Sequence, residues 1–328
     1  EMKQLFNNKK LDKKVYLALL YILVIGAVLR IYNISWDNGA YLHPDERLYI
    51  NALSVSLPTS LQSFFSIDSP LNPRMFYYGS FPLYLYKIAR IMFQNTNALF
   101  LSRYISSIFS IATIFIIYLI GRRIWIYKVG LIASFMFAFA PGSIQYAHFN
   151  TTESFLIFFL SLICCLSIKL FDKPSLMIAT LIGIVCGLAV ATKIIALTFF
   201  IFPLIALFPF LLKRQIKPLF LYSFSILIPF LLFVFLGAPY QLIDWPQFYR
   251  EQSYMQGVIL GKTKPPFTII YEGTVSYLYP LYSSMPFVFG LITFPLSLFG
   301  FALLVKKVIK SFNKNYILSF VLIFPITY

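Results

Sequence analysis

The chain has 328 residues, of which 59% are hydrophobic and 12% are charged, and its net charge is +16. A soluble domain of this length could not keep so many apolar side chains away from water. The composition therefore excludes an ordinary soluble protein and favours a protein that lies in a membrane.

Long apolar runs recur along the chain, and each has the length that a helix needs to cross a hydrocarbon layer of roughly 30 Å. The predicted spans are 15–34, 98–120, 129–147, 154–171, 175–192, 195–212, 218–237 and 286–305. A ninth span begins near Tyr316 and is interrupted by the chain end, so we expect a piece of a longer protein. The predicted fold class is an all-α polytopic membrane protein with one domain over residues 1–328.

The positive charge could indicate nucleic-acid binding, but its distribution indicates membrane orientation instead. Short connectors such as 9–14, 121–128 and 211–217 are rich in Lys and Arg, and they alternate with connectors that hold most of the acids. We therefore predict basic connectors in the cytoplasm, acidic connectors on the extracytoplasmic side of a cell membrane, and no nucleic-acid partner. The richness in Ile, Phe, Tyr, Lys and Asn is typical of a low-GC prokaryotic source.

Two connectors on the predicted outer side are long, namely residues 35–97 and 238–285. The first contains helical spacing over residues 44–57 and again over 82–93, where basic and apolar positions predict a helix lying in the membrane interface. The second is dense in aromatic residues, which favours a position at the level of the lipid headgroups. No internal repeat supports a transporter built from duplicated halves.

Two adjacent carboxylates open the first long connector in the stretch HPDE, residues 43–46. Pro44 suits the first position of a helix, and Asp45 and Glu46 then lie in the first turn, where the helix dipole favours negative charge. Helix capping alone would explain this pattern. Successive helical residues point about 100° apart, so only one of the two acids can lead a reaction.

Glu153 follows two threonines at the start of a later predicted span, where a helix cap would again explain it. Both histidines of the chain accompany these acids, because His43 lies two residues before Asp45 and His148 lies five before Glu153. Two carboxylates and two imidazoles could hold a divalent metal, with Asp45 and Glu153 as the candidate ligands. The spacing matches no metal-binding signature, and loop or boundary positions are the alternative for both histidines.

Lys193 is a basic residue placed where an apolar run has just ended. Its ammonium could simply reach the lipid headgroups, or it could pair with the phosphate of a lipid-borne substrate. The other cations on the predicted outer side, most of which we expect to be ordinary surface charges, are Arg47, Arg74, Arg103, Arg250, Lys262 and Lys264.

Four stretches occur in a recognisable order: HPDERLYINAL, FYYGSFPLYLY, FNTTESFL and GLAVATK. In this order they resemble the GT-C superfamily of integral-membrane glycosyltransferases that use polyprenyl-phosphate sugars, which includes protein O-mannosyltransferases and the lipid A aminoarabinose transferase. The resemblance covers most of the chain, and HPDE is its most specific part. Glu153 departs from the usual pattern, in which this position is Asp.

The resemblance implies an inverting transfer of a sugar from a polyprenyl-phosphate donor, held in membrane lipid, to a protein, lipid or glycan acceptor. The resemblance implies that Asp45 is the general base and that Glu46, the second catalytic candidate, orients the acceptor or a cation together with Glu153, His43 and His148. It implies that Lys193, Arg74 and Arg47 bind the donor phosphate. A divalent metal is compatible with this pattern but not required by it.

Three other functions remain as alternatives. A membrane transporter or flippase would need ionisable residues near the bilayer centre, whereas the predicted acids lie at span ends and in connectors. A ligase or polymerase of lipid-linked oligosaccharides would share the donor chemistry. A non-catalytic scaffold would have no need of large structured outer connectors that carry acids.

Overall fold

The computed structural model describes residues 13–53, 56–275, 278–310 and 316–327. Its regular secondary structure over these residues is entirely helical. The predicted basic residues before Lys13 and the last residue of the interrupted ninth span lie outside the described residues.

Seventeen α-helices follow one another along the described chain. They are α1 (Lys13–Ile31), α2 (Pro44–Leu53), α3 (Leu61–Phe65), α4 (Phe81–Met92), α5 (Ala98–Ile124), α6 (Tyr127–Ala138), α7 (Pro141–Ala147), α8 (Glu153–Asp172), α9 (Leu176–Thr192), α10 (Ile201–Leu212), α11 (Ile216–Gly237), α12 (Tyr240–Ile243), α13 (Trp245–Ile259), α14 (Leu278–Ser283), α15 (Met285–Phe289), α16 (Thr293–Lys310) and α17 (Ser319–Thr327). Short 3₁₀ helices occur at Ile194–Phe200, Pro266–Tyr271 and Tyr316–Leu318.

The predicted all-α membrane fold is confirmed, but the predicted number of nine spans is not. Among the described residues, five helical stretches are long and apolar enough to cross a membrane: α1, α5, α8, α11 and the continuous stretch Ile194–Leu212. A sixth is counted if α6 and α7 form one span that is bent by 61°. The predicted span 286–305 is divided near Gly290, whose φ of +95° ends α15.

The core of the described structure lies between α5, α8, α9 and α10, where apolar side chains such as Phe155, Ile182 and Phe202 are fully buried. Helix α11 packs closely along α9. A Cβ atom at Gly183 would lie 2.2 Å from the carbonyl oxygen of Ile226, so this close approach requires glycine. Small residues at such crossings let membrane helices approach each other and gain van der Waals contact.

The two long connectors pack against each other. The Tyr240 hydroxyl donates to the carbonyl oxygen of Phe64 at 2.6 Å, and the Asn72 amide donates to Asp244 at 2.9 Å. The predicted interfacial helix is confirmed as a helix, α4, at almost the expected residues. Lys87 on it is nevertheless buried rather than exposed, and it donates to a backbone carbonyl of the same connector.

The break between α6 and α7 is bridged by a buried arginine of α1. Pro141 starts α7, and a residue before proline is disfavoured in a helical conformation, so α6 ends just before it. The fully buried Arg30 guanidinium donates to the carbonyl oxygens of Phe137 at 3.1 Å and Ala138 at 2.9 Å. Its other donors bond to Gly26 and to two serine hydroxyls. A cation thus bonds to two carbonyls at the end of α6, of which that of Phe137 also accepts the Ala140 N–H and the Ser143 hydroxyl.

We expect Arg30→Met to destabilise the protein by about 2–4 kcal/mol, because it removes the hydrogen bonds of a fully buried guanidinium, including the one to the Ala138 carbonyl oxygen. Thermal unfolding in detergent, with Arg250→Met as a control at an exposed arginine, measures the difference. Equal unfolding temperatures for the two variants would contradict this role of Arg30.

Candidate active site

A buried arginine joins the segments that carry the predicted acids. The Arg103 guanidinium on α5 bonds to both oxygens of Asp37 at 2.8 and 2.9 Å and to both oxygens of Glu46 at 2.8 and 2.6 Å. It also donates to the carbonyl oxygen of Ile34. Glu46 in turn accepts the backbone N–H of Asn150 at 2.7 Å, three residues before α8 begins. This ion network fixes α2 against α5 and against the start of α8.

The Arg103 network keeps Asp37, which lies outside the membrane-spanning helices, in its charged form. The bonds from Arg103 lower the pKa of Asp37 to about 2, and the backbone N–H groups of Gly39 and Leu42 act in the same direction against the effect of burial. Asp37 therefore stays ionised throughout the neutral pH range, and its negative charge compensates the positive charge of the Arg103 guanidinium.

Asp45 faces a different group, in which three predicted site residues come together. The Tyr78 hydroxyl donates to Asp45 Oδ2 at 3.0 Å, and the Lys193 ammonium lies 5.1 Å from the centre of the Tyr78 ring. Lys193 Nζ is also 3.4 Å from Glu153 Oε1. Tyr49, one helical turn after Asp45, stacks on Tyr78 with ring centroids 5.6 Å apart. Asp45, Tyr78, Lys193 and Glu153 form what we call the acid–lysine cluster.

The tyrosines of this site remain neutral hydrogen-bond donors. Burial raises the pKa of the Tyr78 hydroxyl, and the charges of Asp45 and Glu153 raise it further. The pKa of Tyr49 is raised by burial first and by the same two carboxylates among its neighbours. Both hydroxyls therefore keep their protons at the pH at which enzymes work.

The loop that carries Tyr78 is fixed on the cluster by a close backbone contact. The Gly79 N–H donates to the carbonyl oxygen of Thr192 at 2.9 Å. A Cβ atom at residue 79 would lie 1.9 Å from the carbonyl oxygen of Ala191, so only glycine fits here. Because Lys193 directly follows Thr192, the same contact fixes Tyr78 next to the lysine.

Several buried polar atoms near the ends of these elements have no hydrogen-bond partner among the described residues. They are Tyr49 Oη, Ser80 Oγ, both amide atoms of Asn150, Thr151 Oγ1 and Ser154 Oγ. Buried polar groups are normally hydrogen-bonded, so these side chains offer donors and acceptors to water or to a polar ligand.

The structure corrects the expected role of Glu46. Both of its oxygens bond to Arg103, and its side chain is fully buried, so it is not available to orient an acceptor or bind a cation. Arg103, one of six cations predicted on the outer side, is not a surface charge, since its side chain is also fully buried. The two acids at the start of α2 therefore have separate surroundings.

The two histidines do not join the acid–lysine cluster. Both ring nitrogens of His148 lie 2.8 Å from backbone carbonyl oxygens, those of Ile144 and Tyr32, which leaves neither nitrogen free to bind a metal or an acceptor. His43 packs against the ring of Phe149 at 4.4 Å, and its Nδ1 is buried without a partner among the described residues. The structure thus gives His148 a local role and disagrees with its predicted one.

The two arginines expected beside Lys193 are elsewhere. Arg74 forms an exposed ion pair with Asp68 at 3.2 Å, and Arg47 Nε donates to the carbonyl oxygen of Tyr41. Within the described residues neither guanidinium bonds to a member of the acid–lysine cluster. Lys193 is the cation that the structure brings to Glu153 and Tyr78.

Within the described part of the chain, this site has no complete set of protein ligands for a divalent metal. Over the described residues, no group of three or more His, Cys, Asp or Glu side chains could hold one. Glu153 is already paired with an ammonium, and Asp45 accepts a hydroxyl. The predicted pair of Asp45 and Glu153 does not by itself complete a coordination shell, which an ion such as Mg²⁺ would fill with water and substrate phosphate.

The fold resembles that of solved membrane oligosaccharyltransferases. A crystal structure of the Archaeoglobus fulgidus oligosaccharyltransferase with zinc and sulfate matches with a TM-score of 0.60 at 18% identity, over 94% of this chain and 45% of that chain. The archaeal oligosaccharyltransferase AglB from Archaeoglobus fulgidus, in complex with an inhibitory peptide and a dolichol-phosphate, matches with a TM-score of 0.51 at 18% identity, over 95% and 38%. AglB is a member of the GT-C superfamily. The chain has a GT-C fold.

A comparison of the sequence points to the same superfamily. The family model of dolichyl-phosphate-mannose-protein mannosyltransferases matches residues 100–237, which is less than half of the chain. No curated protein matches the sequence. The chain spans less than half of the length of the oligosaccharyltransferase structures that it matches. The resemblance to the GT-C superfamily is thus confirmed at the level of the fold, whereas the matched family model begins after HPDE.

We expect Arg103→Met to destabilise the protein by about 3–5 kcal/mol, because it leaves two buried carboxylates without their cation. Arg74→Met removes an exposed ion pair and should cost no more than about 1 kcal/mol. Thermal unfolding of the two variants in the same detergent compares the same substitution in buried and exposed surroundings. A similar loss in both would refute the anchoring role of Arg103.

Proposed function

We propose that this chain is the membrane part of an inverting glycosyltransferase that takes its sugar from a polyprenyl-phosphate donor. The observation that carries the proposal is the acid–lysine cluster, in which a carboxylate and a cation are joined through one tyrosine. Sugar transfer from a lipid phosphate needs a base for the acceptor and a positive charge for the leaving phosphate. The match to the mannosyltransferase family model supports the same chemistry.

Asp45 is the proposed general base. Its Oδ2 accepts the Tyr78 hydroxyl, while Oδ1 accepts no hydrogen bond from any described residue and is free to face an acceptor. The acceptor hydroxyl or amine attacks the anomeric carbon from the face opposite the phosphate, and its proton passes to Asp45. The bond from the anomeric carbon to the phosphate oxygen breaks, and the electron pair leaves with the lipid phosphate.

Lys193 is the proposed partner of that phosphate. Its side chain is partly exposed, at 31%, so the ammonium can reach a ligand as well as Glu153. Lysine binds phosphate as a point charge, and Glu153 holds the ammonium in place until a second anion arrives. Tyr78 contacts both groups, since its hydroxyl bonds to Asp45 and Lys193 Nζ lies over its ring.

The proposed site faces the extracytoplasmic side of a prokaryotic cell membrane. The basis is the concentration of Lys and Arg in the short connectors, which marks the cytoplasmic side in membrane proteins. The polyprenyl tail would lie in membrane lipid beside the spanning helices, and the acceptor is a protein, lipid or glycan.

A ligase of lipid-linked oligosaccharides is the second candidate, favoured by the likeness of the fold to oligosaccharyltransferases. The single lysine of the cluster suits a donor with one phosphate. A preference for a diphosphate-linked oligosaccharide over a monophosphate-linked sugar would favour the second candidate.

We expect Asp45→Asn to lower sugar transfer by about 10²- to 10⁴-fold, the usual contribution of general acid–base catalysis. The measurement is transfer of radiolabelled mannose from dolichyl-phosphate mannose to acceptors in membranes that contain the full-length protein. Asp68→Asn, which changes an exposed acid of the same connector, serves as the matched control. Equal transfer by the parent and Asp45→Asn would rule out this base.

We expect Lys193→Met to weaken the binding of dolichyl phosphate by about 10- to 100-fold, as the loss of a hydrogen bond to a charged group predicts. Asp45→Asn should bind this lipid about as well as the parent, which separates binding from chemistry. The control is Lys264→Met, at an exposed lysine paired with Glu272. Unchanged affinity in Lys193→Met would exclude the lysine from the phosphate site.

A further inference from the structure

Two adjacent residues of α13 hold the backbone of one residue in the first long connector. The Phe76 N–H donates to Glu251 Oε2 at 2.5 Å, and the Gln252 side-chain amide donates to the Phe76 carbonyl oxygen at 2.6 Å. The Phe76 ring is fully buried and lies edge-on to Phe248, one turn before Gln252. Both backbone groups of Phe76 are thus bonded to the same turn of one helix. We call Glu251 and Gln252 the residue-76 clamp.

The clamp uses the carboxylate of Glu251 to accept the Phe76 N–H, although a neutral acceptor could also satisfy this backbone group. Glu251 is 7% exposed, and its other oxygen accepts the Gln247 side-chain amide at 2.6 Å. Burying a carboxylate costs free energy unless it is well hydrogen-bonded. Charge-assisted hydrogen bonds are shorter and stronger than neutral ones, so they define the position of the bonded atom more closely. The arrangement favours exact placement of the Phe76 backbone.

That placement is transmitted to the proposed active site over a very short stretch of chain. Tyr78 is two residues after Phe76 and one residue before Gly79, whose N–H is bonded to Thr192. Residues 76 and 79 are therefore both fixed, by α13 on one side and by the end of α9 on the other. With each residue spanning at most about 3.6 Å, a displaced Phe76 leaves Tyr78 little freedom to stay in place.

We propose that Glu251 and Gln252 are positioning residues that hold the Tyr78 hydroxyl against Asp45. The role in turnover rests on the proposed transferase, whereas the role in holding residues 76–79 does not. The second long connector would thereby control the orientation of the base without touching the substrate. A displacement of about 1 Å at a catalytic group can cost as much as 10²-fold in rate.

The kinetic test is a double-mutant cycle in the full-length protein, with transfer from dolichyl-phosphate mannose as the assay. Glu251→Ala and Tyr78→Phe should each lower kcat by about 10- to 100-fold, with little change in KM for the donor. Because both act on the same hydrogen bond, Glu251→Ala should lower kcat less than about twofold further in the Tyr78→Phe background. Glu251→Gln, whose amide oxygen can still accept the Phe76 N–H, should restore part of the activity.

Hydrogen exchange provides an arm of the test that does not depend on activity. In Glu251→Ala the peptide that contains Phe76 to Gly79 should exchange faster, and so should the end of α9 at Thr192, which the clamp does not touch. Glu272→Gln, in an exposed ion pair of the same connector, should leave both regions unchanged. Gln252→Ala removes the other half of the clamp and should give the same pattern if Glu251→Ala does not fold.

The results separate this proposal from the proposed function. The positioning role would be overturned if the kcat loss of the double variant equalled the product of the two single losses. It would also be overturned if hydrogen exchange became faster in α13 alone. If the parent protein transfers no sugar, the transferase fails, and the exchange at Gly79 and Thr192 alone decides whether the clamp holds this loop.

Discussion

The arrangement of the site depends on the buried pairing of Arg103 with Asp37 and Glu46. One guanidinium bonds to a turn after α1, to the first turn of α2 and, through Glu46, to the backbone before α8. Such an ion pair adds little net stability once the cost of moving its charges out of water is included. Its bidentate geometry nevertheless fixes the orientation of the side chains that it joins. The elements that carry Asp45 and Glu153 are therefore held in register by a contact that takes no part in the proposed chemistry.

The neighbouring acids of HPDE illustrate how one helical turn can serve two purposes. Residues next to each other on a helix point about 100° apart, so Glu46 turns towards Arg103 while Asp45 turns towards Tyr78. Both oxygens of Glu46 bond to Arg103, whereas Asp45 Oδ1 accepts no hydrogen bond from the part of the chain that the structure describes. Lys193 and Glu153 then add opposite charges at the ends of α9 and α8. The site is assembled from four distant parts of the chain.

The sequence was sufficient to predict the all-α membrane fold and to choose Asp45, Glu153 and Lys193, which the structure brings together. Tyr78 was missed although it lies in the quoted stretch FYYGSFPLYLY, because the pattern does not show which tyrosine of that stretch faces Asp45. Arg103 could have been recognised, since it lies inside a predicted span, where a charged residue needs a partner. The break before Pro141 had a visible signal too, whereas its angle depends on contacts with α1 that no local pattern encodes.

The bond between Arg30 and the end of α6 has a consequence for the order of biosynthesis. Membrane proteins emerge from the ribosome N-terminus first, so α1 enters the bilayer before residues 137–143 have been translated. Arg30 lies at the last turn of α1, where a long side chain can extend to the headgroups and remain hydrated during this interval. The bonds of the guanidinium to Phe137, Ala138 and Ser143 can form only after these residues have been translated. Insertion of α1 and formation of its bonds to the end of α6 are thus separate steps.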